Sequence, residues 1–190
     1  IKDFLYQGFN RQNPDIDLIN KKQVETLDIL HTTLSLERER RLTSNIPIPV
    51  VDIFLPTGDG YYFLCEPDLS TILDISRCVM ALLTANNISA YCVAHLGEIT
   101  VFTDMTGKAN ATGFELGFAA RLQSICKNTG KLICSKNLID SWQENDYFHL
   151  EENWEQGIAK DNVQYQWKLA TPKDFEQACF KFLNVDNSKN

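Results

Sequence analysis

The side chains best suited to chemistry are few and scattered along this chain. Gly58-Asp59-Gly60 sets a carboxylate at a tight turn between two β-rich runs, 50–55 and 61–65, joined through Pro56-Thr57-Gly58-Asp59-Gly60. That pattern predicts an antiparallel hairpin with Asp59 at its tip. A carboxylate held out of the core in this way can meet magnesium or manganese, hard cations that keep positions open for phosphate oxygens. Asp beside Gly is also the ordinary chemistry of a turn, so the motif alone defines no site. His95 stands beside Gly97-Glu98, and three isolated histidines offer no catalytic pair, so it reads as structural or partly buried. Ser135 has neither an elbow motif nor a His/Asp arrangement near it in sequence, which gives a hydrolase little support. Trp142, Trp154 and Trp167 read as core or interface aromatics, because no basic groove accompanies them. Six cysteines, at 65, 78, 92, 126, 134 and 179, form no CxxC pair and no zinc spacing. Their apolar surroundings predict reduced core thiols in a cytosolic, cytoplasmic protein.

The elements that must position these residues follow from periodicity. An apolar opening, 1–9, precedes Val24, Leu27, Leu30 and Leu34, whose helical spacing predicts a long first helix. That helix ends in the charged run 37–41, ahead of Pro47 and Pro49. After the hairpin, Pro67-Asp68 starts a second helix carrying Leu69, Ile72, Leu73, Val79, Met80 and Leu83, closed by Asn86-Asn87. A strand is predicted over about 88–96, broken at Gly97, with 99–102 as a second hairpin arm and a loop over 104–113. A third helix over 114–126, a strand over 131–135, a helical turn over 138–142 and a strand over 163–169 complete the pattern. Pro172 marks the first turn of a last helix, to about 184. The sum is an α+β fold, a mixed sheet with helices packed on one face.

With 190 residues, 44% of them hydrophobic and 11% aromatic, the chain suits one domain over 1–190, its core in about 1–170. A charged fraction of 23% and the lack of a long apolar run speak against disorder and against a membrane span. The balance of 18 Lys and Arg against 25 Asp and Glu leaves −7, which opposes nucleic acid and anionic membrane as partners. A phosphate-bearing ligand must then be met by a local site. The chain opens at Ile1, with neither Met nor a signal peptide, and so reads as processed, trimmed or cut from a longer polypeptide.

Taken together, Gly58-Asp59-Gly60-Tyr61-Tyr62, Ala94-His95-Leu96-Gly97-Glu98, Gly113-Phe114-Glu115-Leu116-Gly117-Phe118-Ala119-Ala120-Arg121-Leu122 and Gly130-Lys131-Leu132-Ile133-Cys134-Ser135 resemble the class III nucleotide cyclase catalytic domain. The similarity spans the chain to about Leu169 and is most specific between Asp59 and Ser135. It implies a ferredoxin-like, palm-like sheet. It also implies a homodimer whose active sites lie at the interface, and a nucleoside triphosphate substrate converted to a 3′,5′-cyclic monophosphate with loss of pyrophosphate. Two metal ions, Mn2+ or Mg2+, would activate the ribose 3′-hydroxyl.

By this resemblance Asp59 matches the second metal aspartate and Arg121 the transition-state arginine. Gly117 falls where the family has an asparagine, four residues before that arginine. Lys160 lies near the phosphate-binding lysine. The first metal aspartate would precede Ile1, whose backbone carbonyl matches a further metal ligand, and Asp3 could substitute only by a shift of three, which turns a strand side chain to the other face. Leu55 and Asn110 match the base-reading pair. Neither the adenine-reading nor the guanine-reading code is present there, which makes the chain similar to the short bacterial pyrimidine cyclases that make cyclic CMP or cyclic UMP in antiphage defence. The rival expectation is a non-catalytic cyclase-like module that dimerises or binds nucleotide.

Overall fold

A computed structural model describes residues 16–43, 45, 53–56, 60–65, 68–126, 130–159 and 162–175. Helix α1 (Ile16–Thr43) buries Thr26 and Leu30 and packs along α2 (Leu69–Ala85). Between them in the chain come β1 (Ile53–Pro56) and β2 (Tyr61–Leu64), antiparallel, with Pro56 opposite Tyr61, as the Pro-Thr-Gly-Asp-Gly signal predicts. Asp68 caps α2 by accepting from the Thr71 N–H at 2.8 Å. At the other end Asn87 turns into the left-handed region, at φ 55°, and Ile88 N–H bonds back to Leu83 O at 2.8 Å.

The principal sheet runs β3 (Cys92–Ala94), β6 (Leu132–Ser135), β9 (Gln164–Pro172) and β7 (Phe148–Leu150), with β8 (Glu155–Ile158) also on β9. β3 and β6 are parallel and the other pairs antiparallel, so the sheet is mixed, as expected. The crossover between β3 and β6 contains α3 (Phe114–Ile125), and α4 (Lys136–Asp140) follows β6 directly.

Helices cover both faces of this sheet, a correction to the single face expected. Leu132 and Cys134 share a cluster with Leu73 and Met80 of α2 and Leu138 of α4. Ile133, between them, packs with Leu122 of α3 and with Tyr165, Trp167 and Leu169 of β9. Side chains alternate across a strand, so a strand buried at every position, as β6 is, must be covered on both sides.

Three further expectations change. The strand expected over 88–96 is confined to Cys92–Ala94. The run after Gly97 does not fold back on it: β4 (Thr100–Thr103) pairs instead with β5 (Ala109–Thr112), drawn from the stretch read as loop. Asp104 causes this, since its carboxylate accepts from the N–H groups of Thr106 and Lys108 and from the Thr106 hydroxyl, while Gly107 supplies φ 80°. Pro172 does not open a helix but ends β9 opposite Phe148, a terminal position that tolerates its missing N–H. The rest of the expected last helix, beyond Phe175, and the expected opening strand lie outside the described residues. Strands β7 and β8 were not legible beforehand.

Candidate functional site

Helix α3 carries three separate faces. Phe118, Leu122 and Ile125 lie against the sheet, in a cluster with Tyr165 and Trp167. Glu115, Leu116, Ala119 and Gln123 turn toward a cavity of about 820 Å3 between β2 and 90–97, which Tyr62, Phe63 and His95 also line. Gly117 and Arg121, one turn apart, occupy a third face and line no part of that cavity. A Cβ placed on Gly117 would stand 3.6 Å from Arg121 Nη1, so the guanidinium lies back along its own helix over bare backbone. An asparagine at 117 would put its side chain into this space. The missing side chain and the set of the arginine are thus one feature.

β1 packs against β5, which brings the strand of Leu55 beside that of Asn110. Leu55 is half-buried and presents no polar group. The Asn110 side-chain oxygen accepts from the neighbouring Ala111 N–H at 2.8 Å. Its amide nitrogen can donate to a ligand, and the oxygen keeps a second acceptor position. Asp59, Ile1, Asp3 and Lys160 lie outside the described residues. Among the described residues no group of three or more His, Cys, Asp and Glu is arranged to hold a metal.

One constellation was missed by sequence reasoning. His95 Nδ1 lies 2.8 Å from Ser135 Oγ, and His95 Nε2 lies 2.5 Å from Glu115 Oε2. The ring stacks on Phe118, with centroids 4.8 Å apart and planes 25° apart. The connectivity is that of a Ser-His-acid triad, yet Ser135 is 1% exposed and its Oγ caps α4 by accepting from the Leu138 N–H. A hydroxyl so enclosed cannot reach an external carbonyl, and the group is a buried polar network rather than a nucleophile. His95 and Glu115 are twenty residues apart and His95 and Ser135 forty, so no local motif announces them.

Tyr62 adds a second tie to the same helix turn, its hydroxyl donating to Leu116 O at 3.3 Å; burial pushes its phenol above the usual value and keeps it a donor. Trp167 and Trp142 belong to the core as expected, while Trp154 is 46% exposed instead. Trp167 is buried with its N–H on Glu155, and Trp154 lies under the Lys168 ammonium. The described cysteines are free thiols; burial pushes Cys92 up to about 11 and Cys134 higher still, which suits inert core groups.

No protein-family model matches the chain, and no curated protein matches it significantly. No helix among the described residues is long and apolar enough to cross a membrane.

Proposed function

We propose that this chain is a class III-type nucleotide cyclase acting on a pyrimidine nucleoside triphosphate, with sites shared between two copies. The observation that carries the reading is the packing of β1 on β5, which sets the strand bearing Asn110 beside the strand that bears Leu55 and leads into the connection containing Asp59. Leucine reads no purine edge. The Asn110 amide N–H group suits an acceptor edge, the O2 and O4 of uracil or the O2 and N3 of cytosine. Arg121 would meet the charge that develops on the triphosphate, a role for a planar guanidinium near an open helix face. Lys160 is the residue proposed to hold a terminal phosphate.

The reading calls for two divalent cations, Mn2+ or Mg2+, on Asp59 together with Ile1 or Asp3; bound there, they would supply the Lewis acid for attack by the 3′-hydroxyl. The test is a competition of all four ribonucleoside triphosphates with manganese, the products resolved by mass spectrometry. Cyclic UMP or cyclic CMP is the expected product. A dominant cyclic purine nucleotide would overturn the base assignment. No cyclic product at all would favour the non-catalytic, dimerising module.

A further inference from the structure

Helix α3 begins without the usual device. Its N-cap position is Gly113, which offers no side chain to the orphan amide groups of the first turn. A helix running only from Phe114 to Ile125 depends on tertiary contacts for its stability. Besides the Tyr62 hydroxyl on Leu116 O, what holds this turn is His95, fixed by Ser135 on one nitrogen and reaching Glu115 with the other. The His95 side chain is 8% exposed and that of Glu115 26%, so the imidazole is largely enclosed while the carboxylate stays partly open to the cavity. Gly97 makes the approach possible, since a Cβ there would stand 2.6 Å from Glu115 Cγ.

We propose that the Gly97, His95 and Glu115 contact is a clamp that pins the uncapped first turn and sets the position of Arg121, which makes Glu115 a positioning residue for the proposed cyclisation. The role of Arg121 rests on the cyclase reading; the clamp itself does not. Six residues separate Glu115 from Arg121, or about 9 Å along the helix at 1.5 Å per residue, so a first turn that frays or tilts displaces the guanidinium. Glu115 does not touch the substrate face, because it turns to the cavity while Arg121 turns away from it.

Three variants test this: Glu115→Leu, which keeps bulk and removes the acceptor; Glu115→Gln, which keeps an acceptor for the His95 N–H; and Gly97→Ala, which obstructs the approach. The first readout is amide hydrogen exchange over 118–121, the amides that bond back to the carbonyls of the first turn, and it needs no nucleotide. In Glu115→Leu and Gly97→Ala these amides should exchange about 10-fold faster or more, the scale of losing one hydrogen bond, and in Glu115→Gln, which keeps a neutral acceptor, they should stay closer to wild type than in Glu115→Leu. The second readout is turnover. In Glu115→Leu kcat should fall about 10-fold or more with KM little changed, and Gln should restore it.

Exchange unchanged in Glu115→Leu, or in Gly97→Ala should the leucine variant fail to fold, overturns the clamp. Faster exchange with kcat intact overturns the positioning role. If wild-type protein makes no cyclic nucleotide the cyclase reading fails, and the exchange data still decide the clamp.

Discussion

At the residue scale, the weight falls on Arg121. Its guanidinium lies within van der Waals reach of where a Gly117 side chain would begin, so the arginine is accommodated by its own neighbour one turn back. Under the cyclase reading, Arg121→Ala should slow cyclisation by about 3 to 5 kcal/mol of transition-state stabilisation. Arg121→Lys should recover only a small part, because an ammonium cannot reproduce the two-pronged contact of a planar guanidinium with phosphate. Single-turnover rates with manganese measure both variants, and wild-type rates in either would remove Arg121 from the reaction. Arg121 was singled out in the sequence through the resemblance, on the alanines and the leucine beside it. The His95, Glu115 and Ser135 network was not. Its members come from three separate elements, and nothing about a lone histidine says which carboxylate the chain will carry to it.

At the element scale, local chemistry explains both the successes and the failures of the sequence reading. The boundaries of α2 were legible because Asp68 and Asn87 do specific jobs there, a cap and a left-handed stop. Thr71 holds the Asp68 carboxyl below its ordinary value, through its hydroxyl first and its amide next. A carboxyl lowered in the folded state contributes stability that is present above the unfolded value and lost as pH falls through the folded one. Asp68→Ala should therefore cost about 1 kcal/mol in urea unfolding near pH 7, a capping loss tempered by the exposure of the pair. The gap between variant and wild type should narrow as pH falls below about 4, the ordinary aspartate range. A gap independent of pH would remove the charge from the account.

The same kind of local bond misled the reading of 104–113. Its Gly, Asn and Thr content looks like loop, yet Asp104 ties a compact turn that lets Ala109–Thr112 pair with Thr100–Thr103. Asp104 was a visible turn residue; the pairing it enables depends on the two flanking runs finding each other.

At the scale of the whole molecule, the β4 and β5 hairpin forms a sheet of its own, and β4 is exposed at all its positions. Val101 is 57% exposed and Phe102 43%, Met105 is fully exposed, and Phe114 at the base is 69% exposed. An isolated two-stranded hairpin is marginal in water, and apolar side chains gathered on one want cover. The hairpin adjoins β1, and with it Leu55, so whatever covers it borders the proposed base-binding residues. Under the shared-site reading the occupant is a second copy of this chain, and each site takes Asp59 from one copy and Arg121 from the other. Phe102→Asp together with Met105→Glu should then yield a folded monomer by light scattering, with its circular dichroism retained and turnover lost. Mixing is the sharper measurement. Asp59→Ala and Arg121→Ala are each expected to be inactive alone, but half of the dimers in an equal mixture pair one of each and hold one intact site out of two, so about a quarter of wild-type turnover should return. Recovery near zero with dimers present would mean that Asp59 and Arg121 serve a site within one chain, and the exposed hairpin would then need another partner.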